Sequence, residues 1–184
     1  QFGLVGSEMC IRDSPYSLKE ISDFKTDILI FENPDGIYIG FKNYQSNESM
    51  RSQNHERDDE MSLADKNGVS IDFDADGLIA YQFFVSSGGS IGDATYTNET
   101  EKSNDWDGDW LSATTIGEDV WFTEFFIPWS IAPMKKQLGD KRKVKIGFYR
   151  MLAGYSRVIA TIKGSPYQNI YMSAFDDLEF DNYS

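Results

Sequence analysis

The chain is poor in the residues that most catalytic and metal sites are built from. Its 184 residues include one cysteine, Cys10, and one histidine, His55. A disulfide framework and a zinc site assembled from Cys and His are therefore both excluded. His55 stands among charges in a long loop, where solvated surface is expected, and no nucleophile motif accompanies it, which argues against a Ser-His-Asp triad. No glycine-rich loop follows a strand and opens a helix, so the phosphate-cradling signature is missing. Cations are scarce, with 17 Lys and Arg against 30 Asp and Glu and a formal net charge of −13. That balance argues against a nucleic-acid ligand, which needs clustered Lys and Arg, and against an anionic membrane surface. No apolar run approaches the ~18 residues of a membrane helix, so no membrane span is read in this chain. An acidic surface suits neutral ligands such as sugars, or cations.

The first fourteen residues stand apart. The chain opens on Gln rather than Met, and Met9-Cys10-Ile11-Arg12-Asp13-Ser14 resembles the translation of an adaptor used to prepare sequencing libraries. Gln1–Ser14 is read as non-native sequence, against the alternative of a genuine N-terminal strand, and is set aside from fold reasoning. Cys10 goes with it, which leaves the domain without a thiolate nucleophile or a cysteine ligand. The expected domain is 15–173. Ala174–Ser184 (AFDDLEFDNYS) reads as a further strand or the start of a following region.

What the chain does have is alternation. Aromatics make up 15% of it, and many sit at every second position. Thr26–Glu32 and Ile37–Lys42 read as two strands around Asn33-Pro34-Asp35-Gly36, a strong turn signal. Ile37, Ile39 and Phe41 fall on one face. Asn43–Asn67 is a long polar loop with a candidate short helix near Glu56–Leu63. Gly68–Asp74 sets Val69, Ile71 and Phe73 against Ser70, Asp72 and Asp74, and Asp76-Gly77 turns it into Leu78–Ser86. Asp93–Thr97, Trp110–Ile116, Val120–Ile127, Val144–Arg150 and Arg157–Lys163 read as further strands. Asn98–Ser103 reads as a polar loop, and Lys135–Lys143 as a basic one. Strand-sized segments recurring with almost no helical period predict an all-β fold, an antiparallel β-sandwich.

Three stretches carry a family resemblance: Arg57-Asp58-Asp59-Glu60-Met61 with Gly68–Tyr81 (GVSIDFDADGLIAY), Asp105-Trp106-Asp107-Gly108-Asp109-Trp110, and Trp121–Met134 (WFTEFFIPWSIAPM) running on to Gly147-Phe148-Tyr149-Arg150. Together they resemble the carbohydrate-binding family 9-like domain, in the version found N-terminal to outer-membrane β-barrel proteins of Gram-negative bacteria. The resemblance spans Thr26–Lys163. It implies a jelly-roll-like sandwich, exported to the periplasm or cell surface, with carbohydrate as the nominal ligand and structural calcium common among relatives. The Asp-Gly and Trp that usually open the domain are absent here and no barrel follows, so the chain reads as a piece of a larger protein.

Candidate sites follow. Trp106 and Trp110 flank Asp107 and Asp109, which is the chemistry of a sugar site, in which C–H faces stack on rings and hydroxyls meet carboxylates. The competing reading puts one or both rings in the core. Trp121, in line with Thr123, Phe125 and Ile127, reads as core; Trp129, after Pro128, is open between core and site. Asp105, Asp107 and Asp109 are candidate Ca²⁺ ligands if they lie in a loop, and a solvated face if in a strand. Asp72, Asp74, Asp76 and Gly77 match the first half of an EF-hand loop, but Phe83 stands where a bidentate Glu is required; strand alternation instead explains Asp72 and Asp74 as outward residues, and the hairpin explains Asp76. Glu124, between Phe122 and Phe126, reads as a buried carboxylate in need of a partner, with Arg150 as its ion-pair candidate. A general-acid role for Glu124 lacks a second carboxylate.

These readings favour a non-catalytic carbohydrate-binding-like module of a larger exported protein, associated with carbohydrate catabolism. The alternatives are a structural domain that docks on a β-barrel of the same polypeptide without binding sugar, and an accessory fragment of a glycoside hydrolase. A haem-binding relative of the same sandwich class would need axial ligands from His55 or the six Met residues. No cofactor other than a structural Ca²⁺ is expected.

Overall fold

The computed structural model describes residues 7–10, 24–59, 63–162 and 170–183. Among them are twelve strands: β1 (Ser7–Cys10), β2 (Thr26–Asn33), β3 (Gly36–Tyr44), β4 (Lys66–Asp72), β5 (Ile79–Ser86), β6 (Ile91–Thr97), β7 (Glu101–Ser103), β8 (Leu111–Ile116), β9 (Val120–Pro128), β10 (Lys141–Leu152), β11 (Arg157–Ala160) and β12 (Asp176–Asp181). One sheet runs β1-β2-β3-β9-β8. The other runs β11-β10-β4-β5-β6-β7, with β12 also paired to β10. Every pairing between these strands is antiparallel. The expected all-β antiparallel sandwich is what forms. Glu60, Met61 and Lys163, and the middle of the candidate helix, lie outside the described residues, as do residues 1–6 and 11–14 of the segment read as non-native. Its residues Ser7–Cys10 pair along β2.

The core follows from the alternation. Ile28 and Ile30, Ile37, Ile39 and Phe41, and Trp121, Phe125 and Ile127 all point inward from the five-stranded sheet and are buried. Val69 and Ile71, Phe83 and Val85, and Ile146 and Phe148 meet them from the other sheet. Phe41 lies edge-on to Phe148 across the gap, with ring centroids 6.0 Å apart. Each such side chain contributes about 1.5–3 kcal/mol on leaving water.

The seven-stranded sheet is covered on its second face as well. Ala80 and Tyr96 pack there against Ile162, Tyr171, Met172 and Phe175. The Tyr171 and Ser70 hydroxyls are hydrogen-bonded at 2.8 Å, and Gln82 Nε2 donates to the Tyr171 hydroxyl at 3.1 Å. Every residue of β4 is buried as a result. This corrects the reading of Asp72 as an outward residue: the alternation is right, but both faces are interior. Gly68 belongs to the same arrangement. A Cβ there would come within 1.9 Å of the Tyr149 ring, which is seated over it.

Two segments of opposite charge make one ladder. The basic stretch expected as a loop opens β10, and the acidic tail forms β12. Lys141, Lys143 and Lys145 stand opposite Asp181, Glu179 and Asp177 and are ion-paired with them in that order. Alternating with them, Val144 and Ile146 turn into the core. Exposed pairs of this kind contribute roughly 0–1 kcal/mol each; their larger effect is to fix register. The expected loop Asn98–Ser103 also contains a strand, the short β7.

At one end the sheets are joined by a buried polar seam. Asn43 and Asn67 exchange amide hydrogen bonds of 2.7 and 3.0 Å between β3 and β4, and the Thr123 hydroxyl donates to Asn67 Oδ1 at 2.9 Å. Arg150, wholly buried, donates to Thr26 Oγ1 at 2.8 Å, to Gln45 Oε1 at 2.5 Å and to the carbonyls of Phe24 and Lys25 at 3.2 Å. Gln45 passes a further bond of 2.6 Å to Asp65, and the guanidinium lies against the Trp121 ring. The expected Glu124–Arg150 ion pair is therefore wrong. Glu124 faces outward and is exposed, because Trp121, Thr123, Phe125 and Ile127 take the inward positions of β9. Arg150 finds neutral acceptors instead. Burial lowers its pKa to about 10, with the Asp65 carboxylate pulling the other way.

Replacing Arg150 with Met removes its bonds to Gln45, Thr26 and two carbonyls, of which Gln45 Oε1 keeps only the Trp121 indole N–H and the Lys25 carbonyl only the Tyr44 amide. Urea unfolding is expected to show a loss of about 3–5 kcal/mol; a loss below about 1 kcal/mol would show the seam to be dispensable. A second expectation concerns Lys102 of β7, whose ammonium lies over the Tyr96 ring. Burial pushes its pKa down to about 8, against the opposing pull of Asp58. The unfolded chain holds that proton up to about 10.4, so between roughly pH 8 and 10 the unfolded state binds more protons and stability rises with pH. Thermal melts across that window should show the rise in the native protein and a flatter profile in Lys102→Met.

Candidate functional site

The loop between β7 and β8 (residues 104–110) holds most of the residues expected to bind sugar or metal, and it folds around a buried carboxylate. Asp93, on β6, is fully buried. Its Oδ2 accepts from the Gly108 amide at 2.9 Å, from Trp110 Nε1 at 2.9 Å and from Arg57 Nη2 at 2.8 Å. The same Arg57 nitrogen reaches the Gly108 carbonyl at 3.0 Å, and Arg57 Nε pairs with Asp107 Oδ1 at 3.1 Å. Asp58 closes the knot by accepting the Asp93 amide at 2.7 Å. Desolvation acts to lower the Arg57 pKa, but the bond to Asp93 and the charges of Asp93, Asp107 and Asp58 outweigh it and hold the guanidinium above its ordinary value.

This geometry decides the tryptophans of the loop. Trp110 is buried, stacked on Phe125 at 5.7 Å and 7° and edge-on to Phe83. It belongs to the core and is withdrawn as a sugar contact. Trp106 is half-buried over Tyr81 and Phe83, with centroids 4.8 and 5.7 Å away, and it caps the core. Asp107 is committed to Arg57, and Asp109 is exposed. The loop reading of Asp105, Asp107 and Asp109 is right, but the three carboxylates do not converge. Asp105 is tied to the Ser103 hydroxyl at 3.0 Å. Among the described residues, the acidic groups whose oxygens gather within 4.8 Å of one another are Asp58, Asp93 and Asp107. Calcium does not fit this set as it stands, because Arg57 already engages two of the three carboxylates and the neighbouring carbonyl.

The second group of aspartates is also accounted for. The Asp72 carboxylate accepts the amides of Asp74 and Gly77 at 3.1 and 2.8 Å and shapes the β4–β5 turn, where Gly77 has φ +74°. Asp74 accepts from the Lys135 amide at 2.9 Å, and Asp76 pairs with Lys135 Nζ at 2.6 Å. With these oxygens in use, the EF-hand likeness has no metal chemistry behind it. His55 departs from expectation: its side chain is only 14% exposed, with Nδ1 3.3 Å from Asp59. It adjoins Asn54, Arg57 and Ser90 in a shallow polar depression of about 370 Å³.

Trp129, another expected ligand residue, reaches an open cleft. Pro128 ends β9, and Trp129–Ile131 turns away as a single 3-10 turn. Trp129 Nε1 donates to the Asn33 carbonyl at 2.8 Å, which anchors the indole to the β2–β3 turn. Its ring lies 5.7 Å from Phe180 and 6.1 Å from Tyr183. A cleft of about 410 Å³ opens beside it, lined by Pro34, Met134, Lys136, Asp181 and Tyr183 among others. Tyr183 is 39% exposed, so two partly exposed rings share one concave surface with an ammonium and a carboxylate. Tyr183 carried no motif, and only its place after β12 brings it to Trp129. Arg57 and Asp58 were part of the family resemblance, but nothing along the chain linked them to Asp93 or Asp107.

No helix among the described residues is long and apolar enough to cross a membrane. No family model matches the chain, and no curated protein matches it. Solved structures do. A carbohydrate-binding module of family 9 from Caldicellulosiruptor kristjanssonii, in complex with cellotriose, aligns with a TM-score of 0.64 and 14% identity over 94% of this chain and 80% of that one. The same module in complex with glucose aligns with the same score and identity over 94% and 82%. A protein from Bacteroides uniformis, provisionally named as carbohydrate-binding, aligns with a TM-score of 0.73 and 13% identity over 95% and 86%. At these identities the likeness is one of architecture: the chain has the fold of the family 9 carbohydrate-binding modules.

Proposed function

We propose that the chain is a non-catalytic carbohydrate-binding module whose sugar contact is the cleft between Trp129 and Tyr183. The observation that carries this reading is the pair of partly exposed rings in one cleft, with Lys136 and Asp181 beside them. Sugar C–H faces stack on aromatic rings, while hydroxyls exchange hydrogen bonds with charged groups at the rim. The likeness to modules solved with cellotriose and glucose supports the ligand class. On this reading Trp106 and Trp110 support the sandwich from within. We further propose that the module works outside the cytoplasm as part of a larger exported protein engaged in carbohydrate catabolism, as the family resemblance implies.

A second reading, a domain that docks on a β-barrel of its own polypeptide, draws on the outer face of the five-stranded sheet. There Phe31, Tyr38, Phe126 and Leu111 stand side by side across β2, β3, β9 and β8. Phe31 and Leu111 are 39% and 64% exposed.

Calorimetry with glucose and cellotriose, followed by a glycan array, separates the two. Binding is expected to vanish in Trp129→Ala and to weaken about tenfold, about 1.4 kcal/mol, in Tyr183→Ala, a variant expected to leave the melting temperature nearly unchanged. If no glycan binds, or if both variants bind as well as the native protein, the cleft is not a sugar site and the docking reading stands.

A further inference from the structure

We infer that the guanidinium of Arg57 stands where a divalent cation would otherwise be held by Asp58, Asp93 and Asp107, so that the native knot takes up no metal and the fold carries its own cation. The donor set is that of a hard ion: three carboxylates, together with the Gly108 carbonyl. Their mutual spacing fits as well. The gathered carboxylate oxygens lie within 4.8 Å of one another, and oxygens on opposite sides of a Ca²⁺ ion, each at 2.3–2.6 Å, lie about 5 Å apart. What occupies the centre is a side chain. Arg57 meets Asp93 Oδ2 at 2.8 Å, Asp107 Oδ1 at 3.1 Å and the Gly108 carbonyl at 3.0 Å.

The guanidinium leaves part of the donor set unused. Arg57 engages the buried Asp93 carboxylate through Oδ2 alone, and Oδ1 is buried with no hydrogen-bond partner. A metal held in bidentate fashion would use both oxygens. One guanidinium also stands against three carboxylates. The amide of Gly108 and the indole N–H of Trp110 offset part of that excess at Asp93. Arg57 and a metal cannot share the position, so binding of one excludes the other.

The test uses Ca²⁺ and Tb³⁺ alone as probes. The native protein is expected to melt at the same temperature in calcium and in chelator. Arg57→Ala is expected to melt lower in chelator, by on the order of 5–10 °C, and to recover most of that loss with saturable dependence on Ca²⁺. Tb³⁺ luminescence sensitised by Trp110, which is bonded to Asp93, should appear in Arg57→Ala and be weak in the native protein; this readout does not depend on a stability difference. Arg57→Lys keeps a cation in place and should neither melt much lower nor respond to calcium. Adding Asp93→Asn to Arg57→Ala should abolish the response. The inference is overturned if Arg57→Ala gains no calcium response, if the response survives Asp93→Asn, or if the native protein binds Tb³⁺ as strongly as the variant.

Discussion

The relation between the two sheets depends on a guanidinium that has no carboxylate bonded to it. Apolar faces attract without direction, and two sheets lined with Ile and Phe could settle at several offsets. Arg150 removes that freedom, because its donors must meet Thr26, Gln45 and the carbonyls preceding β2 at once. The Asn43–Asn67 exchange beside it repeats the constraint between β3 and β4. A network of this kind, complete here except at the buried Arg150 Nε, is strong in a low-dielectric interior and costly to leave half-made, so it fixes the offset that the core then fills.

Arginine recurs in this role. Arg142, 5% exposed, donates to the carbonyls of Phe73 and Lys135 at 3.2 and 2.9 Å and ties the loop before β10 to the β4–β5 turn. Arg57 ties the loop before β8 to β6. In each case a planar fork with several donors gathers backbone that no strand pairing reaches. The chain has no disulfide available for this work, and its cations do it instead. The site lies at the end of the sandwich away from Arg150, where Trp129 hangs from the β2–β3 turn on one hydrogen bond.

The strands and the core were legible in the sequence because alternation is a local signal. Ile37, Ile39 and Phe41 announce their face whatever lies opposite. Pairs between distant segments were not legible. Lys135–Lys143 looks like a basic loop until β12 is beside its last three residues, and Glu124 looks buried until both faces of β9 are known. Trp110 and Trp129 have equivalent chemistry on paper. Only the stack on Phe125 sends one to the core and leaves the other at a cleft. Asp72 was misread because the period of two reports which side a residue takes, and says nothing about whether that side is wet.

The five-stranded sheet has one dry face, and the seven-stranded sheet has two where the segment around Tyr171 and Met172 crosses it. Selection is expected to act on the two sheets with different grain. Across homologues, β3 and β9 should drift at every second position, whereas β4 and β5 should change little at any. A sequence profile would then find its strongest anchor in GVSIDFD and the strand that follows it, however far the exposed face of the other sheet has diverged.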